Sequence, residues 1–166
     1  MLVRTTAINK IIKLKKRIKI IQGGTSAGKT FGILPILIHK AADTPNIEIS
    51  VVAESIPHLR RGALKDFLNI MKWTGRYFEQ RFNKSLLRYE FANGSYIEFF
   101  SADDSSKLRG ARRDILYINE CNNVDFNSYN ELAIRTKQEI YLDFNPANEF
   151  WVHTELKDEG DSDFLI

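Results

Sequence analysis

The chain alternates between short apolar runs and longer segments in which apolar residues recur at helical spacing. The apolar runs predict strands at 17–22, 47–53, 114–119 and 139–144, and the helical spacing predicts helices at 7–16, 29–42, 56–73 and 126–136. Buried strands that alternate with helices are typical of a parallel sheet covered by helices on its faces. The pattern therefore predicts an α/β fold.

A second pattern predicts a β-hairpin. Leu86–Phe91 and Ser95–Phe100 alternate apolar and polar residues, and they flank Asn93-Gly94, a strong hairpin turn signal. We expect this hairpin to be an insertion or an edge addition to the parallel sheet. The chain stops on Asp163-Phe164-Leu165-Ile166, which is typical of a strand beginning, so we expect the sequence to be a piece of a longer protein.

A glycine-rich segment between the first predicted strand and the next helix matches the phosphate-binding loop G-x-x-x-x-G-K-T. Its residues are Gly23, Gly24, Thr25, Ser26, Ala27, Gly28, Lys29 and Thr30. In such a loop, backbone N–H groups and a helix N-terminus surround the phosphates. Lys29 would reach the β- and γ-phosphates, and the Thr30 hydroxyl would bind Mg²⁺. The alternative is a glycine-rich turn that matches by chance, but the strand before it and the helix after it favour the binding of ATP and Mg²⁺.

Composition fits one soluble domain, and the charge is unevenly distributed. Hydrophobic residues make up 43% and charged residues 27% of 166 residues, with a net charge of +3. The first twenty residues contain no acid, and their basic residues are Arg4, Lys10, Lys13, Lys15, Lys16, Arg17 and Lys19. This basic arm is either a contact for nucleic-acid phosphates or a solvated helix face. The single cysteine, Cys121, excludes an internal disulfide, and no apolar run approaches the roughly 20 residues that span a bilayer.

Polar residues after two of the predicted strands are candidates for the chemistry. Asn119 ends the strand predicted at 114–119, and Glu120 follows it. At these two positions, P-loop ATPases place a Mg²⁺-shell residue and then a glutamate that polarises the attacking water. The first of the two is usually Asp, so Asn119 is a departure. The alternative for Glu120 is an exposed acid in a loop. Asn145 either senses the γ-phosphate or forms a turn with Pro146. Gln22 either contacts adenine or only ends its strand.

Arginines in the segment 101–113 could stabilise charge on a transferring phosphoryl group, in their own subunit or in a neighbour. The alternative is that this segment serves solubility, or that its arginines pair with Asp103 or Asp104.

Several ordered blocks together resemble the ATPase domain of a tailed-bacteriophage terminase large subunit, the DNA-packaging motor. The blocks are 22–30, Ser55-Ile-Pro-His-Leu-Arg-Arg-Gly62, Leu108-Arg-Gly-Ala-Arg-Arg113, Ile118-Asn-Glu120 and Asp143-Phe-Asn-Pro146. The resemblance implies an ASCE-type P-loop NTPase, a three-layer αβα sandwich with a mostly parallel central sheet and an added β-hairpin. It implies ATP hydrolysis with Glu120 as the catalytic residue, Lys29 on the phosphates, and Arg109 as the trans-acting arginine. Asn145 would couple hydrolysis to movement, and Thr30 and Asn119 would hold Mg²⁺.

The same resemblance implies the partners. They are double-stranded DNA, a homo-oligomeric, pentamer-like ring, a phage portal and a small terminase subunit, in the cytoplasm of the infected host and without a membrane. Arg60, Arg61 and the basic arm are candidates for the DNA-contacting surface. Many members carry an arginine inside the phosphate loop, where this chain has Thr25 and Ser26. Terminases also carry a C-terminal nuclease domain, and residues 1–166 end before one begins, so we expect an ATPase domain without DNA cleavage.

Two other functions remain open at this point. A phosphotransferase acting on a small molecule would need an acceptor pocket and no water-activating glutamate, so Glu120 disfavours it. A non-hydrolysing nucleotide-binding module would bind ATP only to order an interface.

Overall fold

A computed structural model describes residues 4–24, 26–146 and 148–166. The helices are α1 (Thr6–Ile12), α2 (Ser26–Asp43), α3 (Ile56–Arg61), α4 (Ala63–Trp73), α5 (Ser105–Gly110) and α6 (Phe126–Ala133). The strands are β1 (Ile18–Gln22), β2 (Glu48–Ala53), β3 (Phe82–Asn83), β4 (Arg88–Glu90), β5 (Tyr96–Ser101), β6 (Arg113–Ile118), β7 (Thr136–Phe144) and β8 (Ser162–Leu165). A π-helical turn covers Val152–Leu156, and 3₁₀ turns cover Glu79–Arg81 and Cys121–Asn123. Among the described helices, none has the length and apolarity to cross a bilayer.

All eight strands form one sheet in the order β3-β4-β5-β2-β6-β7-β1-β8. The six strands from β5 to β8 in that order pair in parallel. At one edge of the sheet, β3 pairs antiparallel with β4, and β4 pairs antiparallel with β5. The predicted mostly parallel α/β sheet with an added hairpin is therefore confirmed.

The sheet is covered on both faces, because neighbouring residues of the central strands belong to two different hydrophobic cores. On β6, Ile115 and Tyr117 pack into the core that contains α1, α2 and α4. Leu116 and Ile118 of the same strand pack into the core that contains residues of α5 and α6. This arrangement gives the three layers of an αβα sandwich.

Side-chain caps fix where several helices begin, because they satisfy backbone N–H groups that have no partner within the helix. Thr5 accepts a hydrogen bond from the N–H of Ile8, at 3.2 Å, at the start of α1. Ser55 does the same for the N–H of His58, at 3.3 Å, at the start of α3. The Ser55 cap matters for function because it sets the helix that carries His58.

The structure corrects three of the predicted elements. The first helix ends at Ile12 rather than at residue 16. The predicted helix 56–73 is two helices, because it breaks at Gly62, whose N–H still bonds to His58 O at 3.0 Å. The second strand of the predicted hairpin, β5, is an integral parallel strand beside β2, so only β3 and β4 are edge additions.

Candidate active site

Three functional segments meet at the carboxyl edge of the sheet because β7 lies between β1 and β6. Ile21 on β1 pairs with Asp143 on β7, and Ile118 on β6 pairs with Leu142. The glycine-rich loop follows β1, Asn119-Glu120 follow β6, and Asn145 follows β7. In open α/β sheets, this edge is where ligands bind.

Lys29 lies at the centre of this group, near the start of α2. Its Nζ donates to the carbonyl of Gly23 at 3.1 Å and to Asn145 Oδ1 at 2.5 Å. A Cβ on Gly23 would lie 3.3 Å from the Lys29 side chain, so a residue without a side chain suits this close approach. Burial lowers the pKa of Lys29, and the negative charges of Asp143 and Glu120 oppose that shift. A cation held among polar groups in this way is suited to binding phosphate.

Thr30 follows Lys29 and faces a different partner. Its hydroxyl donates to Asp66 Oδ2, on the first turn of α4, at 2.7 Å. Thr30 and Asp66 both line a cavity of about 200 Å³ together with His58, Arg61, Gly62, Asn119 and Glu120. The hydroxyl predicted to bind Mg²⁺ therefore lies in one cavity with the predicted metal residue Asn119 and the predicted catalytic Glu120.

Asp143 organises the buried floor below this cavity. It is fully buried and accepts hydrogen bonds from the Tyr117 hydroxyl, from Asn119 Nδ2 at 3.2 Å, and from the backbone N–H of Glu120 at 2.6 Å. Desolvation raises the pKa of Asp143 to about 6, although these hydrogen bonds and the charge of Lys29 act in the opposite direction. The Asn119 side chain is thereby fixed, with its Nδ2 turned toward Asp143.

Glu120 has an unusual backbone conformation, with φ = 52° and ψ = 59°. The left-handed region is uncommon for a residue with a side chain, and such conformations cluster at functional sites. The Asp143 carboxylate, which accepts the N–H of Glu120, holds this turn in place. The Glu120 carboxylate contacts His58 Nε2, and His58 Nδ1 lies 3.3 Å from Glu54. Glu120 thus faces the cavity within the electrostatic influence of Lys29.

A second cavity, of about 340 Å³, lies beside the loop. It is bordered by Gln22, Gly28 and Lys29, by Leu165 and Ile166, and by α1 residues that include Ile11. Lys29 borders this cavity, and the next residue, Thr30, borders the first one.

The remaining predicted residues fall into two groups. Gly24 and Gly28 are exposed at the loop, Thr25 lies outside the described residues, and Ser26 and Ala27 lie in the first turn of α2. Arg109 is exposed on α5 and does not line the cavity that contains Glu120. The structure therefore brings together Gly23, Lys29, Thr30, Asn119, Glu120 and Asn145, and it does not bring Arg109 to them within one chain.

The basic arm is only partly a free surface. Lys19 is 6% exposed and pairs with Glu139 at 2.9 Å, and Arg17 donates to the carbonyl of Thr136 at 2.6 Å. These two residues bond to β7 and its neighbours, so for them neither prediction for the arm, a phosphate contact or a solvated helix face, is correct. The exposed members of the arm are Arg4, Lys10, Lys13, Lys15 and Lys16.

Three site residues received no role from sequence reasoning: His58, Asp66 and Asp143. A signal existed for Asp143, because a carboxylate interrupts the otherwise apolar end of a buried strand. His58 and Asp66 lie on helices with ordinary amphipathic patterns, and only the folding of α3 and α4 against the loop brings them to the site.

Comparison with protein families and solved structures identifies similar proteins. The family model of phage terminase large subunits matches residues 15–163. No match was found among functionally curated proteins.

The solved structures share the fold at low sequence identity. The large terminase of a thermophilic bacteriophage superposes with a TM-score of 0.80 at 18% identity, over 96% of this chain and 44% of that one. The same thermophilic phage protein in complex with ATP-gamma-S gives 0.75 at 17% identity, over 95% and 40%. The large terminase ATPase domain of Thermus phage P74-26 gives 0.72 at 13% identity, over 98% and 80%. The chain thus spans less than half the length of the first of these proteins.

Proposed function

Because the chain belongs to the phage terminase large subunit family, we propose that residues 1–166 form its ATPase domain. In this proposal the domain hydrolyses ATP to ADP and phosphate, and the hydrolysis drives double-stranded DNA into a phage procapsid. We propose no role in DNA cleavage for these residues.

The observation that carries the proposal is the convergence of Lys29 and Glu120 on one site. Lys29 comes from the loop after β1 and Glu120 from the turn after β6, yet both are bonded to the end of β7. Lys29 Nζ donates to Asn145 Oδ1 at 2.5 Å, and the Glu120 N–H donates to Asp143 at 2.6 Å. In the proposed reaction, Lys29 binds the β- and γ-phosphates. Glu120 orients and polarises the water that attacks the γ-phosphorus. His58, which contacts the Glu120 carboxylate, holds it in the cavity.

The residues around Thr30 fit a magnesium ion. A hydroxyl, an amide and carboxylates border the same cavity, and oxygen donors of these kinds are the ones that Mg²⁺ accepts besides phosphate and water. Thr30 and Asn119 would hold the ion, whose positive charge would offset the negative charge of the phosphates.

Asn145 is proposed to sense the γ-phosphate through Lys29. The Asn145 amide oxygen accepts a hydrogen bond from Lys29 Nζ. A triphosphate would compete for the same ammonium group, so its arrival would release Asn145 and the segment that follows β7. The position of Asn145 at the end of β7 would therefore depend on whether the γ-phosphate is bound.

The cavity beside Gln22 is proposed to take the adenine base. It is continuous with the loop through Gly28 and Lys29, and apolar residues of α1 and the chain end line it. Apolar walls with a few polar groups are typical of nucleoside pockets. Gln22 would supply a polar contact to the base.

As a motor, the domain would act in a homo-oligomeric ring, pentameric in our proposal, with a phage portal and a small terminase subunit in the host cytoplasm. Arg109 lies exposed on α5, so we assign it to the γ-phosphate of a neighbouring subunit rather than to its own site. Arg60 is exposed on α3 and stays a candidate for DNA contact, whereas Arg61 borders the nucleotide cavity.

The two other functions are less well supported. A phosphotransferase would need a pocket for its acceptor and no water-activating glutamate, and a non-hydrolysing module would not need the left-handed backbone of Glu120. The geometry around Glu120 therefore favours hydrolysis.

The test is the ATPase rate with and without duplex DNA. We expect wild type to hydrolyse ATP, with stimulation by duplex DNA that declines steeply as salt is raised, because phosphate contacts release counterions. Lys29→Ala should lose both nucleotide binding and turnover. Lys65→Ala, which removes an exposed lysine on α4, should keep both. Unchanged turnover in a folded Lys29→Ala protein would contradict the proposal.

A further inference from the structure

Strand β6 is followed by Asn119, an amide, at the position where P-loop ATPases usually carry an aspartate that binds the metal. Asn119 is 2% exposed, and its Nδ2 is committed to Tyr117 and Asp143. An amide has no net charge to offset a divalent cation, whereas Mg²⁺ sites in nucleotide-binding proteins use one or two carboxylates together with phosphate. A carboxylate that offsets the charge of Mg²⁺ beside the Thr30 hydroxyl must therefore come from another part of the fold.

Besides Glu120, which is assigned to water activation, two carboxylates of the described residues contact Asn119 or Thr30, namely Asp143 and Asp66. Asp143 is fully buried and already accepts hydrogen bonds from Tyr117, Asn119 and the backbone of Glu120. It is also not among the residues that line the cavity. Its place is beneath the site, where it fixes Asn119 and Glu120.

Asp66 has the position that Asp143 lacks. It is half-buried, it lines the cavity, and its Oδ2 accepts the hydrogen bond of the Thr30 hydroxyl at 2.7 Å. This hydroxyl is the group that the loop offers to the metal, so a carboxylate in direct contact with it lies in or next to the metal's coordination shell.

The fold holds Asp66 in this place. The next residue, Phe67, is fully buried and packs on Phe99 with ring centroids 5.0 Å apart, which fixes α4 against β5. The break at Gly62 turns α4 relative to α3 beside Asn119, and a Cβ at Gly62 would lie 3.4 Å from Asn119 Oδ1. Asp66 therefore reaches Thr30 from a helix that is anchored by packing.

We propose that Asp66 supplies the carboxylate of the Mg²⁺ site, in place of the one missing at Asn119. The inference rests on the proposed function, because the ion arrives with ATP. Asp66 would face the cation from α4 and Thr30 would face it from the loop. Asn119, whose Nδ2 is directed at Tyr117 and Asp143, would offer the ion only its uncharged amide oxygen.

The test measures nucleotide affinity of the full chain with Mg²⁺ and with EDTA, by fluorescence of a labelled ATP analogue. Asp66→Asn should reduce the Mg²⁺-dependent gain in affinity by about 10- to 100-fold, the usual cost of losing a carboxylate that supports a metal. Affinity in EDTA should stay the same or rise, because a negative charge near the phosphates is removed. Asp43→Asn is the matched control: it removes an exposed carboxylate at the end of α2 that does not line the cavity, and it should leave the gain unchanged.

A second variant separates metal binding from misfolding. Asp66→Glu keeps a carboxylate at this position of α4, so it should retain part of the Mg²⁺-dependent gain that Asp66→Asn loses. Circular dichroism melting checks that each variant is folded. A wild-type gain in folded Asp66→Asn, or a loss in folded Asp66→Glu as large as in Asp66→Asn, would overturn the assignment. If wild type itself bound nucleotide equally well in Mg²⁺ and in EDTA, the proposed function would fail together with this inference.

Discussion

Replacing Asp143 by asparagine should change the way the stability of the protein depends on pH. Asp143 is fully buried at the end of β7, and burial raises its pKa from 3.8 to about 6. Asparagine has nearly the same shape and keeps an oxygen that can accept the N–H of Glu120, but it cannot titrate. The substitution therefore isolates the free energy of charging this carboxyl in the folded state.

The size of the effect follows from the pKa difference between the folded and unfolded chain. A difference of about 2 units, at about 1.4 kcal/mol for each unit, corresponds to about 3 kcal/mol. Because the folded-state pKa is the higher one, the contribution of Asp143 to stability is fully present below the unfolded-state pKa of 3.8 and is lost as the pH rises through about 6. Between pH 4 and pH 7, wild type should lose about 2 kcal/mol of unfolding free energy relative to Asp143→Asn, because part of the total is already lost at pH 4.

The assay is urea unfolding of both proteins at pH 4, 5, 6 and 7, with EDTA and without nucleotide. Hydrogen bonds lost in the variant shift its unfolding free energy by an amount that does not depend on pH, so only the change of the difference with pH is interpreted. Parallel stability curves for the two proteins across this range would refute the reasoning.

Two further predictions concern assembly and packing. Arg109→Ala should reduce ATP turnover only at concentrations where subunits associate, as checked by turnover against protein concentration with sedimentation in parallel; a full loss in dilute monomer would place the arginine in its own site. Phe67→Ala should lower the unfolding free energy by about 3–5 kcal/mol, because it empties a fully buried ring site against Tyr89 and Phe99, and urea unfolding would measure it.

Much of the fold could be predicted because the relevant signals are local. The apolar runs of β1, β2, β6 and β7 and the turn Asn93-Gly94 appear in the sequence as continuous patterns. The pairing of β5 with β2 could not be predicted in this way, because hairpin residues predict only their contact with each other. Which strand lies beside β5 depends on residues more than forty positions away.

The candidate site divides in the same manner. Lys29 and Thr30 belong to a motif whose spacing encodes its mechanism, so the sequence alone identifies them. Asp66 belongs to no quoted motif, and the spacing of the block that contains His58 does not state a mechanism. The roles of both residues arise only where α3 and α4 pack beside the loop. Lys19 is a case in which the sequence was misleading. Its charge predicted a residue on the basic arm, but in the fold it is buried and ion-paired with Glu139 on β7.

The central claim is that Glu120 activates water for attack on a nucleotide held by Lys29, and one measurement tests it most directly. Glu120→Gln keeps the size of the side chain and removes the carboxylate, so ATP affinity and single-turnover hydrolysis should be compared between wild type and this variant. We expect affinity within a few-fold of wild type and hydrolysis slower by about 100-fold or more. Hydrolysis at the wild-type rate in the folded variant would show that another group activates the water.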